Sequence, residues 1–117
     1  MENKPNFPNT SEKLDHLKIV RDVILGAEQR IMAEYERVEN FRGARLNTIL
    51  HIVHGHIELA YYEKTDPLSK EDENKYAEIN SRLSAIKNSV NEIHGEIPEA
   101  EIAKVLKDLY EILNYLP

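Results

Sequence analysis

The stretch VENFRGARLN, residues 38–47, decides the fold. Apolar residues recur on both sides of it at helical spacing, so either one helix runs through Gly43 or two helices meet there. Upstream, Leu17, Val20, Ile24, Ala27, Ile31, Val38 and Phe41 alternate at spacings of three and four, interrupted only by Glu34 with Tyr35 beside it. That is the stripe of a long amphipathic helix with coiled-coil-like spacing. Downstream, Leu46, Leu50, Val53, Ile57 and Ala60 restate the stripe with a shifted phase. One glycine inside a helix costs about 1 kcal/mol relative to alanine, which a long packed helix absorbs. It would equally serve as a C-cap. No proline or Asn-Gly pair marks a tight turn here, so the expectation is a helix that continues through Gly43 with a kink.

The rest of the chain reads more simply. Asn9-Thr10-Ser11-Glu12 offers an N-cap after a proline-containing tail, residues 1–11. Thr65-Asp66-Pro67-Leu68-Ser69 is a loop, and Ser69 with Asp72 three residues on caps the next helix. That helix carries a clean stripe of Tyr76, Ile79, Leu83, Ile86, Val90 and Ile93, and Gly95 ends it. Pro98 opens a last helix, with Glu99 and Glu101 in its first turn and Ile102, Val105, Leu106, Leu109, Ile112, Leu113 and Leu116 on its apolar face. No segment alternates as a strand does. The expected protein is all-α, one helical domain over 12–117, with helices near 12–42, 44–64, 70–94 and 98–115.

Composition removes several function classes. Fifteen basic against twenty-one acidic residues give a net charge of −6, poorly suited to neutralising nucleic-acid phosphates. Cysteine is absent, which removes disulfides, thiolate metal sites and thiol nucleophiles, and fits a cytoplasmic protein. MENKPNFPNT lacks the apolar core of a signal peptide. No apolar run approaches the ~20 residues that span a bilayer. No G-x-S-x-G turn or Gly-rich phosphate loop is present, and no enzyme is expected.

The chemistry that remains lies in RLNTILHIVHGHIELAYYEK, residues 45–64. On a helix, His51, His54 and Glu58 share an arc of about 60°, with His54 on the shoulder of the apolar stripe and His56 pointing elsewhere. Imidazole and carboxylate on neighbouring turns are the ligands that zinc or iron uses. A helical di-iron bundle needs Glu-x-x-His on two helices, however, and Glu92 and His94 stand two apart. His16 and His94 sit singly on other segments. A solvated helix face is the plainer account of the cluster, and no cofactor is expected.

Residues 44–60, ARLNTILHIVHGHIELA, resemble the first helix of the dimerisation and phosphoacceptor domain of sensor histidine kinases, in the subgroup whose motif reads His-Asp-Phe-Asn-Asn. Leu46, Asn47, Ile49, Leu50, Gly55, Glu58, Leu59 and Ala60 fall in matching places. The loop at 65–69 and the helix after it would complete that family's hairpin, and the helix before Gly43 would be its signalling coiled coil. The resemblance implies a dimeric four-helix bundle, paired through seams formed by Leu46, Leu50, Val53 and Ile57 and by Tyr76, Ile79, Leu83, Ile86, Val90 and Ile93. The departures bear on function. The phosphoaccepting histidine aligns with Ala44 and its neighbouring acid with Arg45, and the chain ends where the ATP-binding domain would begin. Ala44, Arg45 and Asn47 would then mark a degenerate acceptor position, and His51, two turns on, a displaced candidate.

Two architectures follow. In the first, a histidine-kinase-like homodimer with a coiled-coil extension serves as a non-catalytic scaffold, binding a response regulator or a histidine kinase. In the second, a turn at Gly43 makes a monomeric four-helix bundle, an adaptor unrelated to kinases. A bundle that binds metal through His51, His54 and Glu58 stands third. The backbone course at Gly43 separates the first two.

Overall fold

The chain reverses at residues 38–42. In the computed structural model, which describes residues 16–62 and 68–116, helix α1 (His16–Arg37) ends well before Gly43 and α2 (Gly43–Tyr62) starts on it. Asn40 takes a left-handed backbone conformation, φ 59°, which asparagine tolerates better than other non-glycine residues. The expected continuous helix through Gly43 is thus corrected, and so is the boundary at 42. Asn40, expected inside the helix near 12–42, and Phe41, read as part of its apolar stripe, form the turn instead.

Gly43 has a different task from either of those foreseen for it. A Cβ there would stand 2.5 Å from the backbone carbonyl oxygen of Ile93, so the absent side chain lets two backbones touch. The turn is tied to the link that follows the third helix. Gly43 N–H donates to the Gly95 carbonyl at 2.8 Å, and Ile97 N–H donates to the Phe41 carbonyl at 2.9 Å. Arg42 and Glu96 form an isolated antiparallel bridge between them. One end of the molecule is therefore stitched by backbone, with Gly95 at φ 97° shaping the second strand of the stitch.

Helix α3 (Lys70–Asn91) starts at the expected cap, with the Ser69 side chain accepting from Asp72 N–H at 3.1 Å. Helix α4 (Glu99–Ile112) follows Pro98 and runs into a 3₁₀ turn, Leu113–Tyr115. The expected tail 1–11, its cap at 9–12 and loop residues 65–67 lie outside the described residues. Each helix packs on the next in sequence, and α4 closes the ring on α1. The result is an all-α four-helix bundle.

Both seams expected to pair across a dimer are filled within the chain. Leu46, Leu50, Val53 and Ile57 are buried, as are Tyr76, Ile79, Leu83, Ile86 and Val90, while Ile93 is half-buried. Leu17, Val20, Ile24, Ala27 and Ile31 of α1 and Ile102, Val105, Leu109 and Ile112 of α4 complete one common core. Helices α1 and α4 occupy the places that a second hairpin would take, so burying these seams requires no second copy. No helix among the described residues is long and apolar enough to cross a membrane.

Candidate interaction surface

Helix α2 carries the residues singled out in the sequence, and it presents different chemistry to its two neighbours. Towards α3 it is polar. Asn47 Nδ2 donates to Asn91 Oδ1 at 3.3 Å, the Tyr61 hydroxyl donates to Glu73 at 2.8 Å, and His54 lies between them. Lys87 Nζ donates to His54 Nδ1 at 2.9 Å, which places the ring proton on Nε2, 2.9 Å from Asn80 Oδ1. The spacing of these pairs along both helices is that of antiparallel neighbours.

That arrangement answers the metal question for His54. Both ring nitrogens are engaged by α3, so neither offers a lone pair to a metal. Glu58 is 4.0 Å from Nε2, and His51 is exposed. No group of three or more histidine, aspartate or glutamate side chains among the described residues is placed to hold a metal ion. The shared arc of His51, His54 and Glu58 is real, but His54 turns inward to the helix contact while the other two face out.

The tyrosines beyond His54 extend the same seam. The Tyr61 and Tyr76 rings meet edge-on with centroids 5.0 Å apart. Burial, helped by nearby Asp72 and Tyr61, pushes the Tyr76 hydroxyl up to about 12. The hydrogen bond to Glu73 likewise raises Tyr61.

The start of α2, where the resemblance would align a phosphoacceptor, is held by backbone hydrogen bonds. Ala44 is exposed at the first turn of α2, beside a cleft of about 300 Å³ lined by Arg42, Asn47, Asn91 and His94. The helix terminus is already capped, since Gly43 N–H reaches Gly95 and the Arg45 and Leu46 N–H groups reach the Arg42 carbonyl. Asn47 Oδ1 is buried there without a hydrogen-bond partner.

Towards α1 the surface changes character. Glu34, the acid that interrupts the α1 stripe, is buried, and Arg45 of α2 donates to it through Nε at 2.8 Å. Arg30, one turn back, donates through Nε to the other carboxylate oxygen at 3.3 Å. The Arg45 hydrogen bond is the main cause holding the Glu34 carboxyl below its ordinary value, with Arg30 adding to it and burial opposing both. Sequence reading noticed Glu34 as an anomaly but lacked its partner, because only the reversal at 38–42 brings Arg45 alongside.

Outside this ion pair runs an open groove of about 260 Å³, lined by Val23, Gly26, Arg30, Ile49, Ile52 and His56. Gly26 lines it, and a Cβ there would meet nothing within 4 Å. Ile52, 42% exposed, also lines the groove, and Ile19 and Leu59, 52% and 54% exposed, fall beyond its end by helical spacing. By helical spacing, Ile19, Gly26 and Arg30 share one line on α1, and Ile52 and Leu59 share one on α2. This strip went unnoticed in the sequence. Its signal was Ile19, Ile52 and Leu59 lying off the core stripe.

Comparison with protein-family models, with curated proteins and with solved structures yields no match.

Proposed function

We propose that this protein is a non-catalytic adaptor, a monomeric four-helix bundle that recruits a protein partner through the groove between α1 and α2. The observation that carries this reading is the open groove lined by Gly26 and the exposed Ile52, with exposed Ile19 and Leu59 in line with it by helical spacing. Contiguous exposed apolar surface on a bundle with a complete core marks an interaction site. Apart from Asn47 Oδ1, the polar groups of the opposite seam pair with one another across the helix contact.

The reversal at 38–42 and the filling of both seams by α1 and α4 favour this reading over the kinase-like dimer. Ala44 and Arg45 support the same choice: one is a small exposed residue beside a self-capped helix end, and the other is occupied with Glu34. The adaptor reading thus needs neither phosphate nor metal.

A photo-crosslinking side chain placed at Ile52, and separately at Ser84 on the outer side of α3, tests this in cells of the source organism. A discrete adduct from position 52 that is absent from position 84, and that disappears when Gly26→Leu fills the groove, is expected. Equal labelling from both positions, or labelling indifferent to Gly26→Leu, would count against the reading. An adduct at twice the chain mass would identify the partner as a second copy and would overturn the monomer.

A further inference from the structure

We infer that the partner presented to this groove is an acidic amphipathic helix, a class fixed by how Glu34 holds two arginines. The inference rests on the adaptor reading above and adds the chemistry of the partner. Both Arg30 and Arg45 use Nε on the buried Glu34 carboxylate, and both side chains remain about half exposed. Their Nη groups are left at the groove end, fixed in position by a carboxylate that solvent scarcely reaches. Arg37 continues the α1 line past Arg30 and is also exposed. Three guanidinium groups against one buried acid make this end cationic in a chain whose net charge is −6. Asp22, between Ile19 and Gly26 on α1, flanks the apolar part by helical spacing and lies two turns from Arg30.

A guanidinium with its Nε already held presents two Nη donors in a fixed plane, which suits a carboxylate and loses little entropy on binding. Along α1, the apolar part of the groove has the length of about two helical turns. From Gly26, Ile19 lies seven residues away along α1, about 10 Å, and Arg30 lies four residues the other way, about 6 Å. A partner helix laid along the groove would place one large apolar side chain over Gly26. A second, seven residues off, would rest on Ile19 and Leu59. An aspartate or glutamate four residues beyond the first, in the other direction, would meet the arginines. These three positions fall on one face of a helix, which is the anchor pattern of helix-in-groove recognition.

Selection from a library of helix-constrained peptides tests the assignment, using the wild-type protein as bait and Gly26→Leu for counter-selection. Groove-dependent binders are expected to carry two apolar residues seven apart with an acid four beyond one of them. Replacing that acid by its amide should weaken binding about tenfold or more, as should Arg30→Gln in the protein, and the two changes together should cost little more than either. Arg30→Gln leaves Arg45 on Glu34, and a melting curve establishes that the variant folds. Affinity for the acidic peptides should also fall between 0.05 and 0.5 M salt. Groove-dependent binders without an acid, or with a phosphate or a base in its place, would overturn the partner class and leave the docking surface standing. No binder sensitive to Gly26→Leu would overturn the docking surface itself.

Discussion

The two long contacts of α2 differ in what they leave unsatisfied. Against α3, the side chains Asn47, His54 and Tyr61 meet Asn91, Asn80, Lys87 and Glu73. Against α1, the buried Glu34 carboxylate holds the half-exposed Arg45, and beyond it apolar side chains and arginine Nη groups face water. A seam whose polar side chains pair across it, all but Asn47 Oδ1 finding partners, fixes which helices pair and in what register. A groove that keeps apolar surface and oriented charge in solvent has interactions still to make. Residue type alone would have suggested the reverse, since histidines usually attract functional attention and isoleucines do not.

The largest effect expected on this comparison comes from the shared end of the two contacts. Gly43→Ala should destabilise the protein by about 2–3 kcal/mol, because the new Cβ collides with a backbone oxygen that cannot swing aside. Helix propensity alone predicts a gain of about 1 kcal/mol, so the sign of the change in urea unfolding decides between packing and propensity. A gain would mean that α2 does not approach Ile93 so closely.

Next comes the α3 seam. His54→Ala should cost about 1–2 kcal/mol, since Lys87 and Asn80 both lose a partner at a half-buried position. Chelator should leave the wild-type melt unchanged. A chelator-sensitive melt would return His54 to the list of metal ligands.

Changes of pH separate the two sides by sign. Glu34 is held below its ordinary value near 4.5, so the stability it supplies is present above that value and lost as pH falls through the lowered one. Glu34→Gln should therefore flatten the acid limb of Tm against pH. Tyr76 is raised to about 12, so its contribution is complete below pH 10 and is lost as pH rises towards 12. Tyr76→Phe should flatten the alkaline limb and leave the acid limb as it was. Either variant acting on the opposite limb would contradict the assignment.

The smallest change in stability belongs to the groove. Ile52→Ser should shift unfolding by no more than about 1 kcal/mol, because the side chain is 42% exposed and outside the buried core. A cost above 2 kcal/mol would show Ile52 to be core.

Most of the bundle was legible in the sequence. The buried apolar residues of α2, α3 and α4 fall on the expected stripes except Ile49. Stripe members Ala60, Ile93, Leu106, Leu113 and Leu116 are only partly buried, and Ser69 caps α3 as its spacing implied. The turn was not legible, for a physical reason. Phe41 keeps the α1 periodicity and packs in the core from a non-helical backbone, so the pattern runs on after the helix has stopped. Asn40 was the available signal, as a residue that tolerates left-handed φ, together with the change of phase after Gly43. The groove was less legible still, because Glu34 and Arg45 become neighbours only through the reversal. His54 was placed on the shoulder of the apolar stripe, and that shoulder proved to be the contact with α3.

The docking role of the groove is tested most directly by a pair of glycine substitutions. Gly26 and Gly55 both lie in exposed helix positions with open space where a Cβ would be, but only Gly26 lines the groove. Replacing either with leucine should stabilise the fold by up to about 1 kcal/mol, since each removes a helix-interior glycine. Partner capture from a crosslinker at position 52 should vanish in Gly26→Leu and persist in Gly55→Leu, a loss of binding in a protein made more stable. Capture that survives Gly26→Leu, or that is lost equally in both variants, would contradict the account.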